Sequence, residues 1–378
     1  MGKLAVSSIG AVLLALAAAP LHGRDISANV PLRHEVYSFL ERCEARGLLP
    51  GLRDGIRPLS RQQVAGALRR LQAGAGRERL GAADRRQLQR YLSQFELAVK
   101  ALGPAPTRRS QGVTWNEGRL VVRGREGELR AGLLLQHQTS SFHGLGRQDA
   151  ERVHVSGLGA TVDGHVYSTV GFSSSFVQLM ETGTRTYERR DHVRSTRLEI
   201  PQLKGGHADF HEGKAALLFA LPFARLEIGK GDAAWGPAPA DNLGLSANAP
   251  SYPLVRLSGE YGRIRGVALY ADLRPCPDRP DSPICVGTWD SLRSYTVNGM
   301  SRILERRKHL SAHRLEVTAA SWLDIGIQET VVYGDRGVEL AYLNPLVFYW
   351  AAQGHLGDRD NVMIGLDMDL HPGHGVRT

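Results

Sequence analysis

The residues best placed to do chemistry are three consecutive serines. Ser173, Ser174 and Ser175 stand in the stretch GFSSSF, downstream of His154 and His165. A serine becomes a nucleophile when a neighbouring histidine removes its proton. The stretch does not have the G-x-S-x-G pattern that exposes such a serine at a turn between strand and helix. Small hydroxyl residues in an alternating strand explain the run equally well, so we assign no catalytic residue.

Metal and nucleotide chemistry have weaker signals. His371 and His374 in the sequence HPGH resemble a metal-binding pair, but no carboxylate-rich or cysteine-rich run beside them completes a site. The pair fits a mobile tail. The run GLGATVDG has Val162 where a dinucleotide-binding loop has its third glycine, and the sequence contains no Walker loop. We therefore expect no metal, no cofactor and no enzymatic activity.

The start of the chain has the features of a secretory signal peptide. Residues 1–23 contain Lys3, an apolar run over 9–19, and small residues before a break, with cleavage expected after Ala19 or Gly23. The apolar run is shorter than the roughly 20 residues that a membrane-spanning helix needs, and no later run approaches that length. The sequence therefore predicts an exported protein without a transmembrane helix.

Export gives the three cysteines a simple interpretation. Cys276 and Cys285 bracket the loop-like segment CPDRPDSPIC, and in an oxidising compartment they would close a small disulfide loop. Cys43 shares a helical face with apolar residues, which predicts a buried structural thiol.

The positive charge is confined to one region. The net charge is +9, and residues 24–110 hold 17 Lys and Arg against 8 Asp and Glu, whereas residues 111–378 hold 29 against 30. Export would separate this basic region from nucleic acid, so we expect none as a partner. Lipid phosphates, an acidic polysaccharide or an acidic periplasmic protein are the anions that fit, although a solvated helical surface would account for the charge as well.

That basic region has helical periodicity. One predicted helix ends at Gly47, a second begins at Ser60 with Gln63 in a capping-box position, and a third covers about 84–102. Their apolar faces are Val36, Phe39, Leu40 and Cys43; Val64, Leu68 and Leu71; and Leu88, Tyr91, Leu92 and Phe95. The spacing predicts a small helical bundle over 24–110, which the linker at 103–107 separates from the rest.

The periodicity then changes to that of strands. Asp163-Gly164 lies between two strand-like runs and predicts a hairpin turn. In SWLDIGIQET, residues 321–330, and NVMIGLDMDL, residues 361–370, apolar residues alternate with polar or small ones. In a soluble sandwich the apolar face would be the core, whereas in a membrane barrel it would meet lipid, and the alternation alone does not separate these two structures.

Length and charge favour the barrel. Residues 111–378 allow about twelve to fourteen strands at roughly twenty residues per strand and turn, and charged residues on the inner faces are typical of outer-membrane barrels. We therefore expect a mainly β protein, an antiparallel transmembrane β-barrel preceded by a small α-helical bundle that acts as a plug or periplasmic lid.

Three stretches resemble the Wzi-type capsule assembly family of outer-membrane proteins. They are NVPLRHEVYSFLERCEARGLLPGLRDGIRPLSRQQV, GKGDAAWGPAPADNLGLSANAPSYPLVRL, and RKHLSAHRLEVTAASWLDIGIQETVVYGDRGVELAYLNPLVFYWAAQ followed by GDRDNVMIGLDMDL. The resemblance implies an outer-membrane barrel closed by its helical bundle, which acts as a lectin that holds capsular polysaccharide on the cell. Family barrels continue beyond the last matching strand, so the barrel is expected to be incomplete at the C-terminus or to close with fewer strands.

The resemblance also marks residues near a binding surface, which would equally serve to fix barrel geometry. These residues are Trp235, Gly236, Pro237, Asn242, Ser246, Asn248, Asn344 and Pro345. Tryptophans and Tyr349 are expected in interfacial belts or the core, with sugar stacking as the alternative. The expected partners are surface polysaccharide and outer-membrane lipid, with the protein a monomer. The alternatives are a porin-like channel and an outer-membrane hydrolase.

Overall fold

The structure is a computed structural model, and it describes most of the chain. The described residues are 25–74, 78–102, 111–116, 118–142, 151–167, 169–183, 202–204, 207–237, 242–247, 249–273, 289–297, 300–305 and 307–371. The signal-peptide, linker and disulfide predictions, together with those for Asn248 and His374, lie outside these residues.

The fold is mostly β, and one antiparallel sheet dominates it. Twelve strands follow one another in hydrogen-bonded order, β2-β3-β4-β5-β6-β8-β9-β11-β12-β15-β16-β17, and β7 pairs with β8 as a side branch. Within the described residues β2 and β17 end this sheet, and no backbone pairing joins them. Two small sheets pair β1 with β10 and β13 with β14. The strands are β1 Ile56–Arg57, β2 Gly112–Asn116, β3 Arg119–Arg123, β4 Gly127–Phe142, β5 Glu151–Val166, β6 Val170–Gly183, β7 Gln202–Lys204, β8 His207–Ala220, β9 Arg225–Gly231, β10 Ala234–Trp235, β11 Tyr252–Tyr261, β12 Ile264–Leu273, β13 Trp289–Val297, β14 Met300–Glu305, β15 Lys308–Ala320, β16 Leu323–Gly334 and β17 Asn361–Leu370.

Helices occupy the N-terminal segment, residues 25–102, and one later connection. They are α1 Val36–Ala45, α2 Arg61–Ala73, α3 Ala82–Gln94, α4 Glu96–Ala101, α5 Leu340–Leu343 and α6 Tyr349–His355. The predicted capping box is present, since the Ser60 side chain accepts from the Gln63 backbone and the Gln63 side chain accepts from the Ser60 backbone. The predicted third helix is two helices, because the chain breaks at Phe95. No helix among the described residues is both long and apolar enough to cross a membrane.

The helices of the N-terminal segment share one apolar core. The predicted faces of α1 and α2 are buried in it, as are Leu88, Tyr91 and Phe95. Cys43 lies in the same core, and burial raises the pKa of its thiol to about 11, so the thiol stays protonated near neutral pH. This confirms the prediction of a buried structural cysteine.

The large sheet carries its charges on the covered face and much of its apolar surface on the other. In β16, Asp324, Gly326 and Gln328 are buried, whereas Ile327, on the opposite face, is exposed. Buried charged residues on the covered face are Arg130, Asp163, Glu181, Glu227, Arg256, Arg265, Arg314, Glu316, Asp324 and Asp369. Glu329 of β16 is also buried, but it lies on the opposite face, beneath α6. Exposed apolar residues on the sheet are Leu133, Leu135, Leu158, Phe176, Leu217, Ile228, Val255, Ile327, Ile364, Leu366 and Met368. The covered face of the large sheet is therefore mainly its polar face.

The N-terminal segment covers this polar face. The contacts are the Ile26 carbonyl packed against Gly171 of β6, Asn29 Nδ2 donating to Glu227 Oε2 at 2.9 Å, Arg53 Nη1 donating to the Gly262 carbonyl at 2.7 Å, and Gly55 N donating to Glu316 Oε1 at 3.1 Å. These contacts extend along the sheet from β6 to β15.

The two ends of the sheet differ in the length of their connections. The short-turn end has the turns at 124–126, 167–169, 221–224, 262–263 and 321–322. The opposite end, which we call the long-connection end, has the short turn at 117–118 and the connections at 143–150, 184–206, 232–251, 274–307 and 335–360. The contact between Arg53 and Gly262 places the N-terminal segment at the short-turn end.

The hairpin prediction at Asp163-Gly164 was wrong, because β5 continues through both residues to Val166. The Asp163 carboxylate pairs on the inner face with Arg119 at 2.9 Å and with Arg130. Gly164 is needed for close packing, since a Cβ there would overlap the Glu128 carbonyl oxygen. Tertiary ion pairs therefore override the local turn preference.

Replacing Gly164 by alanine should destabilise the sheet by about 1–3 kcal/mol, because the added methyl has no room beside β4. Gly213 in β8 is the control, since a Cβ there meets only the Phe176 ring at 3.9 Å. Thermal unfolding followed by the circular dichroism of the sheet measures both variants. Equal stability of Gly164→Ala and Gly213→Ala would contradict the packing role.

Candidate ligand-binding surface

The Trp235 motif lies inside the molecule. Trp235 is fully buried in a cluster with Ile56, Tyr252 and Leu254, and β10 pairs it with Ile56 of the N-terminal segment. The backbone of the motif is held from two sides, since Trp235 N donates to the Leu245 carbonyl at 2.8 Å and Gly236 N donates to the Gly55 carbonyl at 2.7 Å. Trp235 and Gly236 therefore fix the interior and are not available to a ligand at the surface.

The residues that follow Trp235 continue this inward-folded connection. Gly236 has φ +122°, and its missing Cβ leaves room for the Asn242 side chain. Gly244 packs against the Gln328 side chain of β16. Pro237, Asn242 and Ser246 are partly buried in this connection. Of the two roles that the sequence leaves open for these residues, their positions fit the fixing of interior geometry.

Asn344 and Pro345 lie elsewhere, in the connection 335–360 at the long-connection end. Asn344 is exposed and shapes a turn, because its Oδ1 accepts from Leu346 N at 3.0 Å and its carbonyl accepts from Val347 N at 3.2 Å. Pro345 follows it in the same turn, which links α5 to α6. These two predicted residues therefore belong to a surface, and the residues after them define it.

We call the exposed pair Phe348 and Trp350 the aromatic surface. Phe348 is 50% and Trp350 65% exposed, and their ring centroids are 6.2 Å apart. Tyr349 between them points inward and is buried, with its ring 4.4 Å from that of His313. Of the roles weighed for Tyr349, it has the core role, while Trp350 faces solvent. The sequence alone does not separate Trp350 from the other tryptophans. In a helix as short as α6, the neighbouring residues do not show which face the protein covers.

A buried carboxylate fixes the start of α6. Glu329 of β16 accepts from Tyr349 N at 2.8 Å and from Trp350 N at 2.7 Å. These two amides have no partner within the helix, and a carboxylate at a helix N-terminus is stabilised by the helix dipole. Since Glu329 is held in the sheet, the backbone of Trp350 is held with it.

A second carboxylate fastens the connection beneath the aromatic surface. Asp360 accepts from Tyr342 Oη at 2.7 Å and forms an ion pair with Arg336. Burial alone would raise the pKa of Asp360, but the hydrogen bonds from Arg336 and Tyr342 outweigh it and hold the pKa below its usual value. Tyr342 also packs against Tyr333 and Tyr349, with ring centroids 5.2 and 5.5 Å away. The exposed pair therefore lies on a layer of buried aromatic rings.

A cavity of about 840 Å³ lies at the other end, between the N-terminal segment and the turns at 221–224 and 262–263. Its cations already have partners: Arg225 donates to Asn29 Oδ1, Arg265 to the Arg53 carbonyl, and Arg53 pairs with Glu260. An anionic ligand would have to replace these contacts, so the cavity is the weaker candidate for a binding site.

The serine run forms no assembled triad with His154. Ser175 pairs with Thr161 in the β5–β6 register, whereas His154 pairs with Thr182. Seven residues along a strand correspond to roughly 23 Å, which is far beyond hydrogen-bond reach. Ser173 lies opposite Asp163, whose carboxylate already pairs with arginines.

His371 does not belong to a mobile tail, so that prediction was wrong. It is 4% exposed, and three carboxylates from Glu44, Asp324 and Asp369 surround its ring. The sequence did carry part of this signal, because Asp367, Asp369 and His371 continue the period of two along one strand face. Glu44 and Asp324 could not be foreseen, since they are remote in sequence.

Comparisons of the chain with protein-family models, with curated proteins and with solved structures found no match.

The replacement Asp360→Asn should loosen the connection 335–360 at neutral pH by about 2 kcal/mol, the usual contribution of a charge-assisted hydrogen bond. Because the folded pKa of Asp360 is lowered, the stabilisation is complete above its unfolded pKa near 4 and is lost as pH falls through the folded pKa. The wild type should therefore lose its advantage over Asp360→Asn in acid.

Hydrogen exchange of the α6 amides, followed from pH 7 down into acid, measures this difference. Asp358→Asn is the control, since the Asp358 side chain bonds only locally to Gln353 at 2.6 Å. A difference between wild type and Asp360→Asn that grows on acidification would contradict the assignment.

Proposed function

We propose that the protein is a non-enzymatic outer-membrane protein that binds surface polysaccharide at its long-connection end. The observation that carries the proposal is the polarity of the large sheet, with charges on its covered face and leucine-rich surface exposed. An exposed apolar belt of this extent is costly in water and favourable in lipid. The sheet would then close as a barrel, since a free edge in lipid leaves backbone groups unpaired.

The filling of the interior favours a binding protein over a channel. The N-terminal segment and the inward-folded connection around Trp235 both occupy the polar side of the sheet. Ile56 of the segment is buried among sheet residues such as Leu254 and Leu310. In this proposal the segment is the plug that the resemblance to the Wzi-type family implies.

The different connection lengths at the two ends of the large sheet support an orientation in the membrane. Outer-membrane barrels have short turns on the periplasmic side and longer loops outside. The aromatic surface would therefore face the exterior, where an apolar ring face stacks on a sugar ring. The exposed arginines of the N-terminal segment would face the periplasm, where acidic polymer or lipid phosphate is available. They are Arg69, Arg70, Arg79, Arg85, Arg86 and Arg90.

Replacing Trp350 by alanine should weaken binding of a bacterial surface polysaccharide about tenfold, since one lost stacking contact contributes ~1.4 kcal/mol. Trp322 is the matched control, because it is 50% exposed but lies in the turn at 321–322 at the opposite end. Binding of detergent-purified protein to a panel of acidic and neutral polysaccharides, at two salt concentrations, measures both variants.

The outcomes of this measurement are distinct. Weakening by Trp350→Ala but not by Trp322→Ala supports the proposed surface. If the two variants weaken binding equally, the wild-type binding is unspecific adsorption to exposed apolar side chains, and the proposed surface is wrong. If the folded wild type binds none of the polymers, the proposal fails.

A planar-bilayer recording tests the porin-like alternative. A filled interior predicts that purified wild-type protein gives no steady open conductance. A stable, ohmic conductance in the wild type would favour the channel.

A further inference from the structure

We propose that Glu44, Asp324 and His371 form a zinc site that fastens the N-terminal segment to the last two strands, with Asp369 beside it. We call these residues the carboxylate–histidine cluster. Glu44 comes from α1, Asp324 from β16, and Asp369 and His371 from β17 and its end. The inference does not depend on what the aromatic surface binds.

The geometry around His371 is that of ligands around an ion. His371 Nε2 lies 3.6 Å from Glu44 Oε1, 3.7 Å from Asp324 Oδ2 and 3.6 Å from Asp369 Oδ1. Glu44, Asp324 and His371 each offer a donor atom within 4.8 Å of the other two, so these three are the proposed ligands. These distances are too long for hydrogen bonds. Two ligand atoms each about 2.1 Å from one tetrahedral zinc ion lie ~3.4 Å apart, which is within a few tenths of an ångström of the observed spacing.

The His371 ring makes no hydrogen bond. Both ring nitrogens of His371 are buried and have no hydrogen-bond partner, and the side chain is 3% exposed. Buried polar groups are nearly always satisfied by protein, water or an ion. The backbone of His371 is fixed, since its N–H donates to the Trp322 carbonyl at 2.8 Å. The ring is therefore held, aimed at three carboxylates and without a partner of its own.

Further hydrogen bonds orient two of the carboxylates. Glu44 Oε1 accepts from Leu52 N at 2.9 Å, and Asp324 Oδ1 accepts from Thr318 Oγ1 at 2.6 Å. The second bond leaves Asp324 Oδ2 directed at His371. Outer hydrogen bonds of this kind typically orient metal ligands.

The chemistry of the donors selects the ion. A neutral imidazole with carboxylates suits Zn²⁺ and other first-row divalent ions, whereas Ca²⁺ and Mg²⁺ prefer oxygen alone. Three carboxylates buried together also repel one another, and a bound dication removes most of that repulsion. Because the ligands come from three separated parts of the chain, binding would stabilise the folded form.

The test uses the full-length purified protein after removal of metal with a chelator. Titration with Zn²⁺ in a calorimeter should show one site per chain and a raised melting temperature. His371→Gln should weaken binding at least tenfold and abolish the rise in melting temperature. His309→Gln is the matched control, since His309 is also buried on the sheet but faces only one carboxylate, that of Asp272.

Two further measurements keep the test decisive if His371→Gln does not fold. Glu44→Gln alters a ligand on α1 and leaves the sheet intact, so it should weaken zinc binding as well. X-ray absorption at the zinc edge of the wild type should show one imidazole among oxygen ligands. Absence of stoichiometric binding, unchanged affinity in both ligand variants, or a site of sulfur or several imidazoles would overturn the proposal.

Discussion

The constraint on which the rest of the structure depends is the burial of charge on one face of the large sheet. An unpaired buried charge costs several kcal/mol, so each needs a partner. Some partners lie within the sheet. Arg314 Nη1 and Nη2 donate to the two carboxylate oxygens of Asp367 at 2.5 and 2.8 Å. Others come from the N-terminal segment, as where Asn29 donates to Glu227. The N-terminal segment and the sheet therefore supply hydrogen-bond partners to each other.

This constraint also explains why motif residues lie inside. The connection that carries Trp235 folds inward and pairs with the N-terminal segment, which fills space that charged side chains alone would leave to water. A buried tryptophan and a glycine with positive φ are suited to that task. The one predicted pair left at the surface, Asn344 and Pro345, lies beside the aromatic surface.

Local patterns in the sequence predicted local structure well. The capping box at Ser60, the buried face of α1 and the alternation of β16 and β17 all follow from residue spacing. Spacing did not show which face of a strand is covered, since both faces share the same period. The hairpin turn predicted at Asp163-Gly164 was wrong for a related reason. The turn preference of these residues is weaker than the two ion pairs that Asp163 forms across the sheet. The carboxylate–histidine cluster needs Glu44 and His371, which only the fold brings together.

The contacts of the N-terminal segment determine how firmly it is held on the covered face of the sheet. Ion pairs alone would hold it weakly, because water entering an opened interior would solvate the separated charges. Apolar and backbone contacts behave differently, since water does not replace the burial of Ile56 against Leu254 and Leu310. The pairing of β1 with β10 adds backbone hydrogen bonds to the same contact. An N-terminal segment anchored in this way is costly to displace, so under the proposed function it would act as a fixed scaffold and not as a gate that opens.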